Sequence, residues 1–173
     1  NGRKLALFYG LLAGSMALVV IARDALLFLV AWEIMAVAAF FAASAEDEKQ
    51  SVRSAGWIYL VSTHAGSLCL LAMFALWHRA AGSFELAPLA PGALSPSMTA
   101  AIFILGTIGF GFKAGLMPLH VWLPEAHANA PSHVSAVMSG VMLKMGVYGI
   151  LRIAALLPAA PIWCGGLLLG LGA

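Results

Sequence analysis

KAGLMPLHVWLPEAHANAPSHVSAVMSGVMLKMGVYGILR, residues 113–152, is the stretch on which the reading of the chain turns. Lys113 lies inside the apolar run FILGTIGFGFKAGLMPL, and Lys144 lies inside a second one, VSAVMSGVMLKMGVYGI. Between them stand Pro118 and Pro124. A proline has no amide hydrogen, so Pro118 leaves the Ala114 carbonyl, and Pro124 the His120 carbonyl, without its usual helical donor. Such a break at membrane depth survives only where protein or water covers the backbone. A discontinuous helix beside a buried lysine is therefore expected here, an arrangement from which many transporters build an ion site.

Working outward, the rest of the chain is equally apolar. Of its 173 residues, 62% are hydrophobic and 9% charged, with a mean hydropathy of +0.98. A soluble domain carries roughly 45 to 50% apolar and about 25% charged residues, so no soluble fold of this size hides so much apolar surface. A spanning helix takes about 20 mostly apolar residues. Runs that meet or approach this are Leu5–Ala22, Ala25–Ala43, Ala55–Trp77, Met98–Ala126, Ser132–Leu157 and a shorter one, Ile162–Ala173. The fold class expected is all-α, a polytopic transmembrane helix bundle. The basic start and apolar run Leu5–Ala22 superficially match a secretory signal, but a second span follows at once, which favours a membrane helix. The chain lacks an initiating Met and stops inside an apolar run, so it is expected to be an internal piece of a longer protein.

Only Arg23 and Asp24 separate the first two runs, which demands a tight hairpin. AEDEKQSVR, residues 45–53, is the one strongly charged loop, and 78–97 is a surface connection rich in Pro, Gly and Ser. Alternating sides puts Arg3, Lys4, Lys49 and Arg53 on one face against Arg23, Arg79 and Arg152 on the other, a thin margin that places the 45–53 loop in the cytoplasm. The net charge of +2 with scattered basic residues gives no nucleic-acid surface. Cys69 and Cys164 sit in apolar runs and read as small core residues. Gly10 and Gly14, and the glycines at 106, 109, 111 and 115, predict close helix packing.

Glu33 in LLFLVAWEIMAVAAFF, Lys113 and Lys144 are ionisable groups near the centres of their runs. Each costs roughly 2.5 to 3.5 kcal/mol on insertion scales unless it faces protein, water or a partner. A buried Glu33–Lys113 pair that only fixes helix register is the plain alternative. One carboxylate cannot neutralise two lysines, however, so the second must sit in a hydrated cavity or lose its proton. His120, His127 and His133 cluster around the break, and His64 lies beside Ser62 and Thr63 in the third run. Histidine changes charge near neutral pH and can relay protons; for each one a hydrogen-bonded structural role is an equal alternative. A zinc site is disfavoured, because Glu125 is the only nearby carboxylate and no cysteine is close.

The Lys113–Arg152 stretch resembles the core signature of the antiporter-like proton-conducting membrane subunits, found in respiratory complex I, Mrp-type antiporters, formate hydrogenlyase and related membrane-bound hydrogenases. The wording HANAPSHVSAVMSGVMLK is most similar to the formate hydrogenlyase and group 4 hydrogenase members. The resemblance implies two five-helix repeats of inverted topology, each with a broken helix. Residues 1–157 would be the first repeat, with its broken helix at about 98–126, and 158–173 the start of the second. It also implies that Glu33 is the family's glutamate, Lys113 its broken-helix lysine and Lys144 its central lysine, with Pro118, Trp122, Pro124, Pro131, Ser135 and Gly140 as scaffold. The second broken helix, with its ionisable residue, is not in this sequence.

These residues imply proton movement through Glu33, Lys113, Lys144, His120, His127, His133 and His64, with Glu33 expected to hold Lys113 charged in one state. Two charges about 4 Å apart at an effective dielectric near 20 interact by roughly 4 kcal/mol, enough for a modest rearrangement to switch the lysine. The chain has no nucleotide fingerprint, Walker motif or iron-sulfur cysteine set, so no cofactor is expected and the drive is assigned to a peripheral redox module and other membrane subunits. Rival readings are a sodium/proton antiporter subunit of Mrp type and a non-conducting anchor for a hydrogenase module. The expected location is a bacterial or archaeal cytoplasmic membrane.

Overall fold

A computed structural model describes residues 2–46, 48–157 and 161–172. It consists of helices α1 (Gly2–Ile21), α2 (Ala25–Ala43), α3 (Gln50–Ala81), α4 (Pro96–Ala114), α5 (Leu123–Asn129), α6 (Ser132–Val137), α7 (Leu143–Leu156) and α8 (Ile162–Gly172). A 3-10 turn, Leu119–Trp122, leads into α5, and a π-helical turn, Met138–Met142, joins α6 to α7. Five apolar segments have membrane-spanning length: α1, α2, α3, Pro96–Asn129 and Ser132–Leu156. The chain is an integral membrane protein with an all-α bundle, as its composition predicts. Asp47 in the charged loop, the expected repeat boundary at 158 and the terminal Ala173 fall outside the described residues.

The α1–α2 hairpin is tight because Asp24 caps α2. Its carboxylate accepts from the amides of Leu26 and Leu27, satisfying two of the donors a helix start leaves free. The segment after α3 is the surface connection expected, and it is tied down at several points. Ala25 donates to the Phe84 carbonyl at 2.8 Å and Leu86 to the Arg23 carbonyl at 2.7 Å, which ties the loop onto the hairpin. Leu89 bonds the Leu156 carbonyl at the end of α7, so this loop closes one end of the bundle. The third span starts earlier than expected. Helix α3 begins at Gln50, because hydropathy sees only the apolar part of a helix whose polar first turn carries Arg53.

Helix α4 packs between α3 and α7, and small residues make both contacts possible. A Cβ on Gly66 would lie 2.9 Å from the Gly109 carbonyl, and one on Gly109 would lie 2.9 Å from the Gly66 carbonyl. On the other side, a Cβ on Gly146 would meet the Ala114 amide nitrogen at 2.4 Å. Backbones this close exclude any side chain, which is how glycine serves helix contact in lipid. Gly10 and Gly14 differ: nothing described lies within 4 Å of their missing Cβ atoms, and they border a groove along α1. Their spacing resembled a packing motif, but no described helix uses it.

Arg152 fastens α7 to the end of α1. Its guanidinium donates to the carbonyls of Val19 and Ala22 and to the Tyr148 hydroxyl, and Tyr148 itself donates to the Val20 carbonyl at 3.0 Å. A cation at a helix C-terminus meets both the unpaired carbonyls and the negative end of the helix dipole.

Candidate functional site

The expected helix break is present. Helix α4 stops at Ala114, where Gly115 adopts a left-handed φ of 72° and returns its amide to the Gly111 carbonyl. Leu116 bonds the same carbonyl at 3.0 Å, and the Trp122 indole donates to the Phe112 carbonyl at 2.7 Å. The unpaired end of the half-helix is thus capped partly by a side chain from beyond the break. The His120 carbonyl is not left free as the position of Pro124 suggested. The Leu123 amide takes it within the 3-10 turn, and Pro124 occupies the first turn of α5, where its missing amide hydrogen costs nothing.

Lys113 lies in the last turn of α4, at the negative end of that half-helix. It is 3% exposed, and its Nζ donates to the Tyr59 hydroxyl on α3 at 3.0 Å. The ammonium sits 5.1 Å from the Tyr59 ring centroid and 5.9 Å from that of Trp32, within cation–π reach of both. Trp122 packs edge-on against Tyr59 at 5.1 Å, and Phe110 against Trp32 at 5.3 Å, completing an aromatic enclosure.

The expected direct pairing of Glu33 with Lys113 is absent: no ion pair forms between them within 4.0 Å. Glu33 instead faces His64, with Oε2 3.6 Å from Nε2. His64 Nδ1 lies 2.9 Å from the Leu60 carbonyl, which can only accept, so Nδ1 carries the hydrogen. The neutral ring therefore turns its Nε2 lone pair to the carboxylate. One proton on either group converts repulsion into attraction. Glu33 Oε1 is buried with no hydrogen-bond partner.

Lys144 is exposed on the outer side of the described chain, not enclosed with Lys113. Its Nζ donates to the Ser139 carbonyl at 2.9 Å, in the π-helical turn that precedes it. The three histidines near the break are held separately. His127 Nδ1 lies 2.8 Å from the Ser135 hydroxyl, His133 is exposed and approaches the Tyr9 ring at 6.0 Å, and His120 Nδ1 is buried without a partner. Sequence reasoning passed over Tyr59 and the π-turn. An isolated tyrosine in an apolar run carries no signal of its partner, and no residue pattern in MSGVM announces a π-turn.

Known proteins resemble the chain over most of its length. Residues 22–172 match the family model described as NADH:quinone oxidoreductase/Mrp antiporter, transmembrane. The chain belongs to this family. Hydrogenase-4 component B of Escherichia coli (strain K12) is 42% identical over 169 residues, which are 96% of this chain and 25% of that protein. Formate hydrogenlyase subunit 3 of the same organism is 39% identical over 154 residues, 88% of this chain and 24% of that protein. A chain of the membrane-bound sulfane sulfur reductase, an archaeal respiratory membrane complex, superposes with a TM-score of 0.88 at 25% identity, covering 96% of this chain and 35% of that one. The chain thus spans about a quarter of the length of the two bacterial relatives. The likeness read from Lys113–Arg152 holds at the level of the family and of its hydrogenase-associated members.

Proposed function

We propose that this chain is part of a proton-translocating membrane subunit of a redox-driven complex of hydrogenase or complex I type, with Lys113 as its central proton carrier. The observation that carries the reading is the surroundings of Lys113: an ammonium enclosed at a helix break, hydrogen-bonded to a neutral hydroxyl and, among the described residues, in an ion pair with no carboxylate. A lysine locked in an ion pair has to break that pair to release its proton. This one has only a neutral hydrogen bond to rearrange. The Glu33–His64 pair, half-exposed on the described chain, takes or gives one proton, and its charge acts on Lys113 across the intervening protein. Lys144, His120, His127 and His133 extend the route towards the two membrane faces. The driving free energy is assigned to a peripheral redox module and neighbouring membrane subunits, since the sequence has no iron-sulfur cysteine set or nucleotide fingerprint.

The family description also names Mrp antiporters, which favours a second reading as a sodium/proton antiporter subunit. The full-length protein in its complex, reconstituted in proteoliposomes, separates the two under a potassium–valinomycin potential. Proton flux that is equal in sodium and in choline medium is expected. Flux that requires sodium would support the antiporter reading, and no flux in either medium would support a non-conducting anchor.

A further inference from the structure

Tyr59 is 1% exposed and sits where three segments of the chain meet. Its oxygen accepts from Lys113 on α4 at 3.0 Å, and its hydroxyl can donate to the Ala36 carbonyl on α2 at 3.3 Å or to the Met142 sulfur of the π-turn at 3.9 Å. Ala36 is three residues beyond Glu33, so it stands one turn further along the same helix. A hydroxyl that donates to the Ala36 carbonyl turns a lone pair to Lys113.

We propose that Tyr59 is the positioning residue for Lys113, relaying the placement of α2 and of the π-turn to the ammonium through its hydroxyl. The inference rests on the proton-carrier reading of Lys113 and extends it. A shift of α2 that moves the Ala36 carbonyl lets the hydroxyl rotate, and a hydroxyl turned the other way presents its hydrogen to the lysine nitrogen. The first orientation stabilises the ammonium and the second accepts only the neutral amine. One rotor therefore couples the backbone of the Glu33 helix to the protonation state of Lys113 without a salt bridge. The phenol takes no part in bond making in this role and keeps its own proton throughout.

The test uses the full-length protein in its complex, with proton flux in proteoliposomes read by an internal pH dye under a potassium–valinomycin potential. Tyr59→Phe keeps the ring and its packing on Trp122 while removing the hydroxyl. Its flux is expected to fall about tenfold at unchanged subunit content, the equivalent of one hydrogen bond to a charged group. The double variant Tyr59→Phe with Lys113→Met is expected to match Lys113→Met alone, because a residue that acts only through Lys113 has nothing left to act on. Wild-type flux in Tyr59→Phe, with low flux in Lys113→Met, overturns the positioning role and leaves the proton-carrier reading standing. A double variant markedly worse than Lys113→Met overturns it as well. Undiminished flux in Lys113→Met overturns both. Should Tyr59→Phe fail to assemble, 3-fluorotyrosine at position 59 preserves the packing and weakens the acceptor. It is expected to shift the pH of half-maximal flux, and an unchanged pH profile overturns the proposal.

Discussion

Lys113 and Lys144 are the same side chain in consecutive spans, each set among apolar neighbours, and they come to rest in opposite surroundings. Lys113 turns inward between α2 and α3, behind a wall of tryptophan, tyrosine and phenylalanine rings. Lys144 turns outward and curls back to a carbonyl that its own helix offers at the π-turn. Only two residues beyond Lys144, the opposite face of the same rod carries Gly146, pressed onto the backbone of α4 at the break. The position of a charge along an apolar run thus sets its depth, while the packing of the opposite face decides whether it is enclosed. A π-turn is often found at functional sites because it exposes backbone groups that a regular helix hides. Here it supplies a partner to a lysine that the bundle does not enclose.

The largest change is expected where the two faces are linked. Gly146→Leu drives a side chain into the Ala114 backbone, and overpacking of this kind costs about 3 kcal/mol. The expected result is a clear fall in thermal midpoint in detergent, with loss of flux. A midpoint equal to wild type would mean that the α4–α7 contact is not what turns Lys113 inward. A smaller change is expected at Lys144. Lys144→Met removes a hydrogen bond from the Ser139 carbonyl, worth about 1 kcal/mol, and lowers the midpoint slightly. A fall as large as that of Gly146→Leu would show that Lys144 is enclosed in the assembled protein.

The smallest is expected at the charged loop. Glu46 and Lys49 lie 2.5 Å apart and both are exposed. The hydrogen bond and charge of Lys49 hold the Glu46 carboxyl below its ordinary value, and Glu46 correspondingly raises Lys49. With a depressed carboxyl, any stabilisation is present above its ordinary range and is lost as pH falls through the lowered value. With a raised lysine, it is lost as pH climbs through the raised value. Solvent screens such a pair, so Glu46→Gln is expected to leave the midpoint unresolved from wild type at pH 7. A measurable drop would mean that the loop is covered in the complex.

Much of the architecture was legible in the residues. Apolar length marked the spans, Pro118 and Pro124 marked the break, and the Lys113–Arg152 stretch carried the family likeness; the left-handed turn at Gly115 was read only as a packing glycine. The start of α3 was missed because its first turn is polar. The partners of the site were not legible, for a common reason. Hydropathy reports depth in the membrane and says nothing of rotation about a helix axis. Whether Glu33 meets Lys113 or His64 depends on how α2, α3 and α4 are rotated against one another, and that is set by contacts such as Gly66 on Gly109. Tyr59 stands 54 residues from Lys113 in sequence, and only this packing brings them together.

Proton flux through the full-length protein carrying Lys113→Met, beside wild type under one imposed potential, tests the central claim most directly. Removing an enclosed charge that pairs with no carboxylate among the described residues is expected to leave assembly and thermal midpoint intact, while flux falls at least about tenfold, a loss of roughly 1.4 kcal/mol or more in barrier terms. Flux equal to wild type at equal assembly would contradict the assignment of Lys113 as the proton carrier.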